Sequence, residues 1–529
     1  MGGTDTAQLR AIDDYVLDGK YREATDAYCR LIAADPTRAA QVTTHVMTTA
    51  APYLHVPAHH KLLPNGEFRN VNYDHTLLGI RAGMRLMPWL SEREKYLTLA
   101  QAIWYVPQGL DVWAQLECGF PGHYAREQEK CAEELLQANK ALHRHFEDRA
   151  PLVEGGVDER FPRMFQAIAD GDKVTAYRLF LGLAAQPELR DRVRNELLFA
   201  AIIDQQEFNS FRRVRHIGHK AIRTRSMLDI ADWVGWEQAH PYFYVGVPDL
   251  GNAPIFHSLY DHASFMLGIT FKGAQYRLHE TNTAPLTEEE QDQLIAQIMA
   301  GDPIAVTHTI TALLRQGRAL TGIADMVMIA HATHCVERLR TPIAYTVPMH
   351  SFDYANVVNF WLRNFKHTHQ PKAVYLSAWF VTDTIREVDW YPDDPAVAKP
   401  EYGAFRAWAD GLSTSEILAE LERTVEAQDP SRSVALVRSY QQRTGERDAL
   451  IRMLVHCAGK FQGDAHIFRN ARSIIEEYYL NSASARRKDV LFQAWAHYLS
   501  FYKKRTLSTE CYELYLHYFG GTATSARRD

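Results

Sequence analysis

Four histidines in comparable surroundings are the residues of this chain best suited to do chemistry. They are His75, His216, His350 and His466, and each follows an apolar helical run and a polar break. The last three are followed at the fifth position by an alanine. Imidazole nitrogen binds iron, copper, zinc and nickel at neutral pH. If four equivalent helices converge on one axis, these residues form a four-histidine metal site, whereas an open superhelix would leave them tens of ångströms apart.

The elements that would position the histidines recur four times along the chain. A short polar segment with turn-forming residues precedes an amphipathic run at four places, residues 17–20, 170–173, 300–303 and 427–430. Helices with an aromatic centre also recur, around Trp104, Trp233, Trp379 and Trp495. The spacing is about 130 residues, which suits several helices per unit. We therefore predict one large all-α body of about four pseudo-repeats, closed around a central metal chamber, with a first half at residues 1–285 and a second at 286–529.

Other polar residues compete for a place in or around such a site. His216 and His219, like His331 and His334, are three residues apart and so share a helical face. Ligating histidines commonly donate their other ring proton to a carboxylate. Surface, core or helix-cap positions are the alternative for all of these residues. The candidates for an additional or supporting role are His219, His331, His334, His456, Asp74, Asp353 and Asp464.

Two aromatic segments, residues 104–110 and 242–250, interrupt the first half and are expected to be loops. Trp104, Tyr105, Tyr242 and Tyr244 are the candidate walls of a substrate pocket. An aromatic residue at helical spacing is equally compatible with an ordinary core, and the segments could also be rigid connectors.

The composition argues against a nucleic-acid-binding protein and against a membrane-spanning one. The chain has 529 residues, 46% hydrophobic and 23% charged, with a net charge of −6, so it lacks the basic surface typical of nucleic-acid binding. No run approaches the roughly 18 apolar residues of a membrane-spanning helix. Six scattered cysteines favour a reducing compartment, and we expect a cytoplasmic protein without a membrane partner. The nucleophile-elbow, phosphate-loop, dinucleotide and His-Glu-x-x-His motifs are missing from the sequence.

The histidine contexts resemble those of the questin oxidase-like proteins. The resembling segments are residues 214–222, 348–355 and 463–468, with residues 72–75 as a fourth. The resemblance implies a helical enzyme that oxidises anthraquinone-like aromatic polyketides with O2. It also implies a non-haem iron, held in part of that family by four histidines and a carboxylated lysine. Carried over, the ligands are His75, His216, His350 and His466.

The lysine of that family has no clear counterpart here. Three residues after His466 stands Arg469, whose guanidinium cannot form a carbamate, and Lys220 and Lys460 are merely nearby in sequence. The fifth ligand and the metal therefore stay open.

Together the residues and the resemblance predict a non-haem iron oxygenase that acts with O2 on an aromatic, quinone- or polyketide-like small molecule. NADPH is a candidate reductant, although it would have to bind without a recognisable nucleotide fold. A noncatalytic helical-repeat binding protein and a haem-dependent oxygenase are the alternatives. The first predicts dispersed histidines, and the second predicts a single axial histidine.

Overall fold

The chain folds almost entirely into α-helices. The structure is a computed structural model that describes residues 3–54, 61–62, 68–69, 75–110, 150–204, 218–251, 258–339, 346–390, 401–461, 466–501 and 508–520. In these residues the only strands are β1 (Lys61–Leu62) and β2 (Phe68–Arg69), which pair antiparallel. The predicted all-α fold is confirmed.

Twelve helices precede residue 285. They are α1 (Gly3–Leu17), α2 (Tyr21–Ala34), α3 (Ala39–Leu54), α4 (Thr76–Leu86), α5 (Leu97–Leu110), α6 (Val157–Ala169), α7 (Lys173–Ala184), α8 (Arg190–Ile203), α9 (His219–Val234), α10 (His240–Asp249), α11 (Ser258–Phe271) and α12 (Leu278–Thr281) within the described residues.

Twelve more follow in the rest of the described chain. They are α13 (Glu288–Met299), α14 (Pro303–Arg315), α15 (Leu320–Arg338), α16 (Thr346–Asn364), α17 (Gln370–Trp390), α18 (Arg406–Gly411), α19 (Thr414–Glu426), α20 (Pro430–Arg443), α21 (Asp448–Lys460), α22 (His466–Leu480), α23 (Ala485–Phe501) and α24 (Glu510–Phe519).

Each of the four recurring polar segments forms a corner between two helices. Gly19, Gly171, Gly301 and Gln428 all adopt a positive φ, which ends one helix in the left-handed region. In the last three corners the following aspartate accepts backbone N–H groups of the next helix as an N-cap. These caps are Asp172, Asp302 and Asp429. The same local physics therefore starts α7, α14 and α20.

Four helices that each begin within four residues of a candidate histidine pack side by side in a ring. Helix α4 contacts α9, α9 contacts α16, α16 contacts α22, and α22 contacts α4. They come from both predicted halves of the chain. The division at residue 285, the pseudo-repeats and the central chamber stay predictions.

The interior of this four-helix ring is charged. Arg81, Arg225, Asn356 and Arg472 occur six residues after His75, His219, His350 and His466, and each is less than a tenth exposed. The amide oxygen of Asn356 accepts hydrogen bonds from Arg225 (2.8 Å) and Arg472 (2.9 Å). The shared sixth position shows that the four helices run in the same direction and at the same level.

Carboxylates from the same helices balance these cations. Arg81 pairs with Asp229, and Arg225 pairs with Glu476. Burial opposes the charge of both carboxylates, but the neighbouring guanidinium groups hold the pKa of Asp229 below its usual range and that of Glu476 at about 2. A buried charge is tolerated when it is paired and hydrogen-bonded, and the carboxylates of Asp229 and Glu476 both accept hydrogen bonds from these guanidinium groups.

Two expectations about local structure were wrong. Residues 104–110 and 242–250 are not loops, because α5 runs through Pro107 to Leu110 and α10 covers residues 240–249. Proline at the second position of α10 is compatible with a first helical turn, where its missing N–H has no partner to lose. Trp233 also lies within the ring helix α9, whereas Trp104, Trp379 and Trp495 lie in the helix after a ring helix.

Among the described helices, none combines the length and apolarity that crossing a membrane requires.

Candidate metal centre

Three histidines converge at the N-terminal end of the four-helix ring. His75, His219 and His350 each offer a ring nitrogen, and these three atoms lie within 4.8 Å of one another. The Nε2 atoms of His219 and His350 are 2.9 Å apart, and the two rings are nearly perpendicular at 87°. The His75 ring centroid is 5.3 Å from that of His219 and 6.2 Å from that of His350.

Each histidine is positioned by the start of a ring helix. His75 is the N-cap residue of α4, and His219 is the first residue of α9. His350 lies within the first two turns of α16. His219 and His350 are buried, and His75 is partly buried.

Gly218 sets the start of α9 and therefore the position of His219. Its φ of +79° lies in the left-handed region that favours glycine. A Cβ at this position would lie 2.8 Å from the Cβ of Tyr354 on α16. The close approach of α9 and α16 at this point brings His219 next to His350.

The electrostatics favour neutral imidazoles. Burial, followed by the charges of His350 and Arg223, lowers the pKa of His219 well below its ordinary value. The N-terminal ends of α4, α9 and α16 add partial positive charge that opposes an imidazolium. A neutral imidazole keeps the lone pair that a metal requires.

The donor set fits a divalent transition-metal ion. Two nitrogens about 2.1 Å from one ion lie about 3.0 Å apart at a right angle and about 3.4 Å apart at a tetrahedral angle. The observed 2.9 Å matches the right angle. An ion bound by these two nitrogens at adjacent positions of a five- or six-coordinate site would leave other positions for a ring nitrogen of His75, which lies within 4.8 Å of both, and for further ligands.

No protein-family model, curated protein or solved structure matches this chain. The case for the site therefore rests on the side chains themselves.

The predicted four-histidine set is brought together in part. His75 and His350 belong to the cluster, and whether they bind a metal stays a prediction. His216, Asp74 and Asp464 lie outside the described residues. Helix α22 begins at His466 and belongs to the ring, but the described side chains do not include that of His466.

His219, which we expected in a supporting role, is a full member of the cluster. The interpretation of the sequence chose His216, three residues earlier in the chain. The charged interior supplies a better register, because Arg225 follows His219 by six residues, as Arg81 follows His75 and Arg472 follows His466. This recurring sixth position was the signal in the sequence that we missed.

Three candidates for a supporting role lie elsewhere in the network of contacts. His331 bonds to Ser351 through Nε2, and Asp353 accepts hydrogen bonds from Arg469 and Ser473 of α22. His334 is buried beside His331 on α15 and lowers its pKa by charge. All three are on the ring or its neighbour, but the described cluster of three ligand atoms does not include them.

His456 was a poorer choice, because it belongs to a separate acidic cluster. Its Nδ1 lies 3.0 Å from Glu94 and its Nε2 3.3 Å from Glu422. Burial opposes its charge, but the two carboxylates raise its pKa to about 9. A charged imidazole cannot be a metal ligand.

Neither lysine considered for a carbamate lies in the cluster. The Lys220 ammonium pairs with Asp204 and donates to the carbonyl of Leu250, and Lys460 pairs with Glu422 at 2.7 Å. The Arg469 guanidinium donates to Asp353 at 2.7 Å.

The four aromatic candidates lie in packed helices. Tyr242 is buried with its hydroxyl 3.1 Å from that of Thr44, and Tyr244 packs edge-on against Tyr177. Trp104 packs against Tyr21 with ring centroids 4.8 Å apart. Tyr105 stacks on Phe468, two residues after His466, and is thus the candidate closest to a ring-helix start. A substrate pocket formed by these residues stays a prediction.

A cavity of about 490 Å³ opens at the other end of the ring. Asp229, Leu228 and Phe360 are among its lining residues. Asp229 is ten residues after His219 on α9, so the cavity is about 15 Å from the histidines along the helix axis. It is a feature separate from the candidate metal centre.

Proposed function

We propose that this protein is a metal-dependent oxygenase whose ion, most suitably non-haem iron, is held by His75, His219 and His350. The proposal rests mainly on the convergence of three ring nitrogens within 4.8 Å, from histidines that are up to 275 positions apart in the chain. Dispersed histidines, as a noncatalytic repeat protein would have, do not fit this convergence. His466 is proposed as a fourth ligand, because α22 starts at it in the register of the other ring helices.

The choice of iron rests on the ligand type and the angle. Imidazole suits iron, copper, zinc and nickel, and adjacent positions with others left open are typical of non-haem iron sites that act with O2. When bound, a redox-active ion supplies the one-electron steps that let O2 react with an organic molecule. The chain's own part would be to hold the ring nitrogens of His219 and His350 at adjacent positions of the ion, with a ring nitrogen of His75 within 4.8 Å of both.

The proposed substrate is an aromatic, quinone- or polyketide-like small molecule, and NADPH is the proposed reductant where one is needed. This part rests on the resemblance to the questin oxidase-like proteins. Tyr105 and the buried Phe468 stack near the start of α22, which puts aromatic side chains beside the ring. We place the enzyme in the cytoplasm, a proposal supported by four described cysteines that are buried free thiols.

The test combines metal content with oxygen consumption. Protein expressed with added iron is expected to retain about one iron per chain and to consume O2 when hydroxylated anthraquinones are added. His219→Ala should lose both properties. His308→Ala, an exposed histidine on α14, is the matched control and should keep both.

Two results would contradict the proposal. The metal site is ruled out if the wild-type protein binds no iron, or if its iron content equals that of His219→Ala. A Soret band with one required histidine would point to haem chemistry instead.

A further inference from the structure

Four buried side chains form a hydrogen-bonded chain that ends beside His350. The Tyr498 hydroxyl of α23 donates to the Cys335 sulfur of α15 at 2.6 Å, and that sulfur lies 3.5 Å from Nδ1 of His331. Nε2 of His331 lies 2.8 Å from Oγ of Ser351 on α16. All four residues are 2% exposed or less. These direct hydrogen bonds therefore connect three helices.

The proton positions in this chain are determined by its two ends. Ser351 donates its hydroxyl proton to the carbonyl oxygen of Pro348 at 3.2 Å, which leaves its oxygen able to accept from Nε2–H of His331. The Pro348 carbonyl also faces the His331 ring as a hydrogen-bond acceptor. Burial, followed by the charge of His334, lowers the pKa of His331 to about 3, so the ring is neutral and carries one proton. Nδ1 is then an acceptor, and the Cys335 thiol donates to it.

The hydrogen-bonded chain ends at residues that flank His350 in the sequence. Pro348 and Ser351 stand two residues before and one residue after it. The His331 ring also packs edge-on against Phe352, with centroids 5.3 Å apart. A single side chain of α15 thus contacts both residues that follow His350.

We propose that His331 is a positioning residue that fixes the first turns of α16 and thereby holds the His350 imidazole in its place for metal binding. This inference rests on the proposed function, because it assigns His331 a role in the same site. His331 acts through Ser351 and Phe352 and does not touch the ion. Its fixed Nε2–H tautomer is what makes the bridge to Ser351 possible.

Two substitutions of His331 imitate one ring nitrogen each. They distinguish the role of His331 in positioning His350 from its contribution to packing in general. A glutamine at this position can place its amide N–H near Nε2, and an asparagine can place its oxygen near Nδ1. We expect His331→Leu to weaken Co²⁺ binding by about 10–100-fold and to change the visible spectrum of bound Co²⁺. His331→Gln should restore most of the affinity and the spectrum, and His331→Asn should not.

Tyr28→Phe is the matched control. It removes another buried hydrogen bond, 2.9 Å from the hydroxyl of Tyr28 to that of Thr43, in a helix that is not part of the four-helix ring. Its Co²⁺ affinity and spectrum should equal those of the wild type. Equal Co²⁺ affinity and spectra for wild type and His331→Leu would overturn the positioning role while leaving the metal site intact.

Infrared spectroscopy tests the hydrogen-bonded chain without any metal. The S–H stretching band of Cys335, obtained as the difference between wild type and Cys335→Ala, should lie at the lower frequency of a donating thiol. His331→Leu and His331→Gln should raise it, and His331→Asn should raise it less. A band that is insensitive to residue 331 would overturn the proton arrangement and the inference with it. Wild-type protein that binds no Co²⁺ while this band behaves as expected would instead overturn the proposed metal site, and the positioning role with it.

Discussion

The Nε2 atoms of His219 and His350 lie 2.9 Å apart, although the two residues are 131 positions apart in the chain. Both rings are buried, and they meet because the His219 position of α9 and the His350 position of α16 lie at the same level of one four-helix ring. At this separation the two Nε2 atoms fit adjacent ligands of one shared ion.

The register of the ring predicts which remaining histidine is the fourth ligand. His466 begins α22, and Arg472 follows it by six residues, as Arg225 follows His219. We expect His466→Ala to lower Fe²⁺ or Co²⁺ affinity by more than about 100-fold, beyond the loss typical of an outer partner. His216→Ala should change the affinity by less than about threefold, within the effect of a residue that does not bind the ion. Metal titration against a chromophoric chelator measures both. If His216→Ala weakened metal binding more than His466→Ala, His216 would be the ligand instead.

Gly218 should be far more sensitive to substitution than another glycine of similar conformation. Gly317 has a φ of +76° and nothing within 4 Å of an added Cβ, whereas a Cβ at Gly218 meets Tyr354. Backbone strain alone costs about 1–2 kcal/mol, and we expect that loss for Gly317→Ala. Gly218→Ala should lose about 1–3 kcal/mol more through overpacking. Urea unfolding compares the two, and equal losses would mean that α9 and α16 are not in close contact here.

Removing a charge inside the ring should destabilise the fold strongly. Asp229 is 5% exposed and pairs with Arg81, so Asp229→Asn leaves that guanidinium buried without its counter-charge. We expect a loss of about 3–5 kcal/mol in the free energy of unfolding. Asp232→Asn is the control on the same helix, where the side chain is 48% exposed and pairs with Arg194. Its effect should stay below about 1 kcal/mol. Similar unfolding curves for both variants would argue against the charged interior.

The cluster of His456, Glu94 and Glu422 predicts a pH dependence of stability. The pKa of His456 is raised to about 9 in the fold, from about 6.5 in an unfolded chain. Its contribution is therefore complete below pH 6.5 and lost as the pH rises to about 9. With the histidine side chain 18% exposed, at most about 3 kcal/mol is involved. Thermal unfolding between pH 6 and 10 should show a smaller alkaline loss for His456→Gln than for wild type, and parallel curves would contradict this assignment.

Local signals in the sequence predicted local structure well. The aspartates at residues 172, 302 and 429 mark the starts of helices, because capping depends on a few neighbouring residues. The helical class followed from the same kind of evidence. The segments 104–110 and 242–250 were expected to be loops, but burial of their aromatic and aliphatic side chains stabilises helices there.

The site was predicted only in part, because its register depends on contacts between distant helices. His75 and His350 were among the predicted ligands and lie in the described cluster, but His216 and His219 are three residues apart and could not be distinguished on local grounds. The charged interior distinguishes them, since Arg225 must meet Asn356 and Arg472 at one level of the ring. His456 was misjudged for a similar reason: its partners Glu94 and Glu422 are distant in sequence.

The most direct test of the metal centre is a crystal structure of iron-loaded protein with anomalous scattering measured at the iron edge. The account predicts one strong anomalous peak about 2.1 Å from Nε2 of His219 and Nε2 of His350, and at a similar distance from a ring nitrogen of His75. A peak located elsewhere, or a direct hydrogen bond between His219 and His350 with no peak at full iron loading, would contradict it.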